Sequence, residues 1–174
     1  MNNIFFSFAV ILFLATVINA QQKPKYPLPE DVATIDGIMN ATYEVVSSQA
    51  GVAKQWERDQ SLHDPNAVYA FLKTDDGKPR WVTMSLKKFH ALTDEIYAKS
   101  DFFESEANRE VRIFGNIAHV WSTYESRLKK NGPVVKRGIN SVQLYYSQNR
   151  WWIISWTFER ETDQNRIPKS FDRN

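Results

Sequence analysis

Apolar positions along this chain change their pattern several times, and each change marks an element. Residues 4–18 are almost all apolar, broken only by Ser7 and Thr16. Past a proline-containing stretch, Val32, Ile35, Ile38, Met39, Thr42, Val45 and Val46 recur at helical spacing. Glu30 and Asp31 place negative charge at the start of that helix, where the macrodipole favours it. Gly37 within it costs about 1 kcal/mol relative to Ala in an exposed helix, so close packing is expected there. Gln49-Ala50-Gly51 ends it. A second, shorter helix is expected over about 52–62, stopped before Pro65. Residues 67–72 then read as a strand, Asp75-Asp76-Gly77-Lys78-Pro79 as a turn, and 81–84 as the returning arm of a hairpin. Ser85 suits the N-cap of a third helix, with Leu86, Phe89, Leu92 or Thr93, and Ile96 as its apolar stripe.

From residue 102 the character is that of strands. Residues 102–114 and 117–127 flank a Gly115-Asn116 turn, and 134–146 and 151–159 flank Ser147-Gln148-Asn149-Arg150. If Tyr146 opposes Trp151, then Leu144 opposes Ile153, Val142 opposes Ser155 and Asn140 opposes Thr157, all on one face. The other face collects Ile139, Gln143 and Tyr145 with Trp152, Ile154, Trp156 and Phe158. Both faces are substantially apolar. Helices cover one; the other needs a second cover, for which another copy of the chain is the simplest candidate. Three helices followed by long antiparallel strands predict an α+β fold, with the helices on one face of a curved sheet.

The ends and the composition narrow the class. The run at 4–18 is short for a membrane span and suits the core of a signal peptide, with Ala20 small enough for a cleavage site. Met1-Asn2-Asn3 carries no Lys or Arg, which departs from the usual pattern, and an uncleaved anchor is the alternative. No Cys follows the run, so a lipidated cysteine is excluded. The expected organisation is a signal peptide over 1–20, a Pro-rich linker over 21–30, one domain over 31–161 and a polar, frayed tail over 162–174. That places the protein in the periplasm or outside the cell, with no stable membrane span after cleavage. A net charge of +2, with basic residues dispersed apart from the pairs Lys87-Lys88 and Lys129-Lys130, does not call for nucleic acid or an acidic membrane. With no cysteine, disulfides, thiol catalysis and thiolate metal sites are excluded together. Six Trp in a 14% aromatic chain point to pockets or partner surfaces as well as core.

Several stretches, in order, resemble a known superfamily. They are Trp56-Glu57-Arg58 to Leu62 with Asp64-Pro65-Asn66-Ala67, then Phe114-Gly115-Asn116-Ile117-Ala118. Trp121-Ser122-Thr123-Tyr124-Glu125-Ser126-Arg127, Arg137-Gly138-Ile139-Asn140-Ser141-Val142-Gln143-Leu144 and Arg150-Trp151-Trp152-Ile153 continue the series. Over about 31–159 the chain resembles the nuclear-transport-factor-2-like proteins, in particular the small polyketide-cyclase (SnoaL)-like ones. The resemblance implies a cone in which a strongly curved antiparallel sheet wraps three helices around a deep pocket, and dimers through the outer sheet face. It implies no single activity, since such proteins include isomerases, dehydratases, cyclases, hydrolases and binding modules.

Candidate chemistry is sparse. Val52, Trp56, Asp59 and His63 share one helical face, and Asp59 one turn before His63 suits an orienting carboxylate and a base. The competing reading is a helix-end histidine with a charge partner. Tyr124 shares a strand face with Ala118, Val120 and Ser122 and is a candidate pocket hydroxyl. Trp56, Tyr124, Asn140, Ser155 and Thr157 are the expected pocket set, and Ile139, Tyr145, Trp152, Ile154 and Trp156 the expected dimer interface. Glu104, Glu106 and Asn108 read as a solvated strand face, His119 as structural and His90 as a boundary residue. Three scattered histidines make no metal set, and no cofactor loop is present. Asn40-Ala41-Thr42 is a sequon in mid-helix and is discounted. Three functions stay open: an exported module binding a small apolar molecule, an isomerase-, dehydratase- or cyclase-type enzyme, and a partner domain using its Trp-rich sheet face.

Overall fold

The computed structural model describes residues 24–172, so the segment read as a signal peptide lies outside the described residues. The first expected helix is two. α1 (Pro29–Val32) starts on a proline, and α2 (Ile35–Val46) restarts at Thr34, whose backbone is extended and whose hydroxyl accepts the Gly37 N–H at 2.9 Å. A Cβ at Gly37 would stand 2.2 Å from the Glu30 carbonyl oxygen. The close packing expected at this glycine is therefore the approach of α1 to α2.

α3 (Trp56–Leu62) runs straight into β1 (His63–Asp75), which turns through Asp76 and Gly77, both with positive φ, into β2 (Lys78–Ser85). Ser85 caps α4 (Leu86–Tyr97). β3 (Phe103–Phe114), β4 (Ile117–Arg127), β5 (Lys136–Ser147) and β6 (Arg150–Arg160) follow as a meander. The six strands form one sheet in the order β2-β1-β6-β5-β4-β3. The expected antiparallel sheet is in fact mixed, because β6 returns beside β1 in the same direction. Every hairpin in the sequence is antiparallel; only this non-local pairing breaks the rule. Nor is the sheet strongly curled.

Two bulges decide which side chains face the helices. Between β5 and β6, Tyr146 pairs Trp151 and Leu144 pairs Ile153 as expected, but Gln143 then pairs Ser155 and Val142 pairs Trp156. Ile154 is the extra residue, and past it the alternation inverts. Trp156 and Phe158 therefore lie on the inner face with Val142 and Asn140, while Ser155 and Thr157 lie on the outer face. A second bulge at Ala107 puts Glu104 and Glu106 on the inner face and Asn108 on the outer one.

The core sits between α2, α3 and the inner face, where Ile38, Met39, Leu62, Val120, Val142 and Ile153 are fully buried. The tail is seated on the outer face. Thr123 donates its hydroxyl to the Phe171 carbonyl, Asn108 donates to the Asp172 carbonyl at 2.7 Å, and Phe171 packs 6.0 Å from Trp121. Through Asp172 it lies against the sheet, and Thr123 and Glu125 are buried on a face that would otherwise meet water.

Candidate functional site

A cavity of about 550 Å³ opens between α4, the end of α2 and the inner face of the sheet. Aromatic rings make its wall. Tyr69 stacks on Phe89 at 4.5 Å, Phe71 on Phe158 at 5.2 Å, and Trp156 lies parallel to Tyr69. Asp59, Glu104, Tyr124 and Asn140 bring polar atoms to this lining.

The expected Asp59–His63 pair is rearranged. α3 ends at Leu62, so His63 leaves the helix, and its Nδ1 meets the Asp59 main-chain carbonyl at 2.8 Å rather than the carboxyl group. A carbonyl only accepts, so Nδ1 carries the proton and Nε2 receives the Tyr69 hydroxyl at 2.9 Å. Complete burial pushes the His63 pKa down, against the nearby Asp59 charge. With both nitrogens engaged, His63 is a neutral structural residue, and it is not part of the cavity wall. The Asp59 carboxyl group instead takes His90, with Nε2 at 2.6 Å from Oδ2. Asp59 is 2% exposed and His90 4%. Asp59 Oδ1 and His90 Nδ1 have no hydrogen-bond partner among the described residues.

Trp56 lies outside the cavity. It stacks on His90 at 4.0 Å and donates its indole N–H to Asp94 at 2.6 Å, which holds α3 against α4. Of the expected pocket set, Tyr124 and Asn140 line the cavity; Trp56, Ser155 and Thr157 do not. Ser155 and Thr157 face outward because of the Ile154 bulge. The same bulge turns Trp156 from the expected interface into the cavity wall, while Ile139 and Tyr145 stay on the outer face with Trp152 opposite Tyr145.

Asn140 is held at both ends. Trp156 Nε1 donates to its carbonyl at 3.1 Å, and its amide donates to the Tyr43 hydroxyl at 3.0 Å. Tyr43 meets Ser122 at 2.6 Å, and Ser122 donates to Glu106, which is paired with Arg109. Donors thus run in one direction from the cavity wall to an ion pair under α2, and the chain fixes the Asn140 rotamer. Tyr124 packs against Gly138, where a Cβ would fall 2.6 Å from its ring.

Glu104 does not lie on the solvated strand face expected for it with Glu106 and Asn108. It lines the cavity with its carboxyl unpaired among the described residues, and desolvation pushes its pKa up to about 8. Its charge in turn helps raise the pKa values of Tyr97 and Tyr124, after their own burial. The sequence signal for Glu104 was period-two alternation, and the Ala107 bulge breaks it. His90 was more legible: Leu86, His90, Thr93 and Tyr97 recur at four, three and four along α4. A metal is a poor fit, since no group of three or more His, Cys, Asp or Glu is gathered among the described residues. An unpaired carboxyl group in an aromatic cavity can bind a polar atom of an apolar molecule, or exchange a proton with it.

No protein-family model matches this chain, and no curated protein is detectably similar in sequence. Solved structures are similar in shape. A protein of unknown function with a cystatin-like fold from Nostoc punctiforme superposes with a TM-score of 0.57 at 9% identity, covering 74% of this chain and 90% of its own. Rv3472, a protein of unknown function from Mycobacterium tuberculosis, gives 0.56 at 12% identity, covering 78% and 75%. An NTF2-like protein of unknown function from Methylobacillus flagellatus gives 0.49 at 14%, covering 74% and 95%. At these identities the likeness speaks for architecture alone. The fold is α+β, with helices leading into one six-stranded mixed sheet, and it is similar in shape to a solved protein of cystatin-like fold.

Proposed function

We propose that this protein binds one small, largely apolar molecule in the cavity between α4 and the sheet. The observation that carries the reading is an aromatic-walled hollow of about 550 Å³ lined by Glu104, whose carboxyl is unpaired among the described residues. The rings supply apolar contact, and Glu104 and Tyr124 offer a point of attachment for one oxygen or nitrogen. Native mass spectrometry of protein purified from its host tests this directly. The expected result is a retained small molecule, or one-to-one uptake of an apolar carbonyl compound with quenching of Trp156 fluorescence. A ligand-free mass and no quenching across a panel of such compounds would sink the proposal.

One observation favours an enzyme of isomerase, dehydratase or cyclase type as the second reading. Desolvation in the cavity pushes the Glu104 pKa up to about 8, which suits a group that takes and returns a proton. In this reading Glu104 replaces the Asp59–His63 pair as the base. Deuterium exchange from solvent into a bound ketone, lost in Glu104→Gln, would support it; binding without exchange leaves the binding module.

Export to the periplasm or beyond is part of the same proposal, supported by the apolar run over 4–18 and by Ala20. So is membership of the polyketide-cyclase-like group, on the motifs from Trp56 to Ile153. A homodimer would use the outer-face area left open by the tail, around Ile117, Tyr145 and Trp152.

A further inference from the structure

The mouth of the cavity differs from its walls. Leu92 and Ile96, one turn apart on α4, and Leu128, just beyond β4, all line the cavity, yet they are 51%, 59% and 52% exposed. Val135, at the other end of the β4–β5 connection, is exposed as well. Isolated exposed apolar side chains need no explanation, but here two elements distant in sequence gather them around one opening. Lysines stand next to them along the chain. Lys136 lines the mouth, Lys129 and Lys130 directly follow Leu128, and Lys99 lies one turn beyond Ile96 on α4's exit; all are exposed. The acids nearby are Glu95, beside Ile96, and Asp101, whose carboxyl accepts the Ala50 N–H at 2.9 Å. Asp94 is held by Trp56. The fold brings Lys136 to the same apolar rim as the Lys129-Lys130 pair that follows Leu128.

We propose that this rim docks on an anionic lipid bilayer. Leu92, Ile96 and Leu128 would enter the acyl boundary, and Lys99, Lys129, Lys130 and Lys136 would meet the headgroups. The cavity then opens onto the membrane, and its ligand passes from bilayer to protein without crossing water. The inference rests on the apolar-ligand reading, because such molecules concentrate in bilayers. The contact is peripheral: no helix among the described residues is long and apolar enough to cross a membrane.

The test is flotation of the protein with phosphatidylcholine vesicles, with and without phosphatidylglycerol. Binding is expected only when phosphatidylglycerol is present, and it falls as salt is raised. Lys129→Gln and Lys130→Gln should each weaken partitioning about fivefold. Leu92→Asp with Ile96→Asp should abolish it, while circular dichroism and thermal unfolding match the parent because both side chains are exposed. Absence of binding to either vesicle overturns the proposal. Binding that neither pair of variants reduces also overturns it, as does a solution dimer that the Leu92/Ile96 variant dissociates. Uptake of an apolar fluorescent ketone, measured without vesicles, separates the two readings. Uptake with no flotation removes the docking and keeps the cavity; flotation with no uptake keeps the docking and removes the cavity ligand.

Discussion

Glu104 and His63 show how far a residue's role depends on its surroundings. Both are titratable groups on the inner side of the sheet, and desolvation acts on each, but in opposite directions. It pushes the Glu104 carboxyl up to about 8 and the His63 imidazole down. For Glu104 the sign is definite: the folded state keeps a proton that the unfolded state releases near 4.5. Between those values the folded chain binds more protons, so its contribution to stability is full below 4.5 and declines as pH rises through about 8. Glu104→Gln should remove this decline. Urea unfolding at pH 5 and pH 9 is expected to show the variant gaining on the parent at the higher pH, by roughly 1–3 kcal/mol. An equal difference at both would mean that the carboxyl group is solvated. His63 titrates the other way: its contribution is full above 6.5 and lost as pH falls through its depressed folded value.

At the scale of elements, caps and bulges decide more than propensity does. Thr34 separates α1 from α2 by taking the Gly37 N–H, and without it the two would compete to continue as one helix. Thr34→Ala should cost about 1 kcal/mol in thermal or urea unfolding. Thr34→Ser should recover most of it, and a loss shared equally by both would place the effect in packing instead of the cap. The Ile154 and Ala107 bulges matter more for function. Each is a single inserted residue, and each changes the face of everything beyond it. Had β6 kept strict alternation, Trp156 and Phe158 would lie outside, and the cavity would be walled by Ser155 and Thr157. The aromatic wall exists because Ile154 is not paired. The expected apolar stripe of α4 is displaced for a related reason. His90 turns inward to Asp59, so Leu92 and Ile96 are left at the cavity mouth.

Over the whole molecule, the chain closes on itself twice. β6 closes the sheet by pairing with β1 in parallel, and the tail closes the outer face by crossing β3, β4 and β5. The second closure divides the outer face. Beside the tail lies a hollow of about 460 Å³ with Trp81, Trp121 and Ile139 in its lining. Farther off, Phe114 and Ile117 are 84% and 60% exposed. Deleting residues 163–174 removes the partners of Thr123 and Asn108, and at about 1 kcal/mol for each hydrogen bond the Tm should fall by roughly 5 °C. Trp121 fluorescence should shift to the red as its ring loses Phe171. An unchanged Tm and spectrum would mean that the tail contributes nothing to the folded state.

The sequence by itself determined the succession of helices and strands, nearly every turn, the Ser85 cap and the close approach at Gly37. These are local: side-chain periodicity, positive-φ turn residues and capping hydroxyls act within a few residues of themselves. It also pointed to Tyr124 and Asn140, whose strands run as their alternation suggested, up to the bulges. Only the tertiary structure decided that β1 and β6 are parallel, that Asp59 turns to His90, and that Glu104 faces a cavity. Each depends on a contact between distant segments or on one unpaired residue in a strand. A period of two is inverted by a single insertion, and nothing in the composition of Ile154 or Ala107 announces one. The same holds for the mouth. Leu92, Ile96, Leu128 and the lysines are ordinary exposed residues in sequence, and they become a surface only when α4 and the β4–β5 connection are brought to one opening.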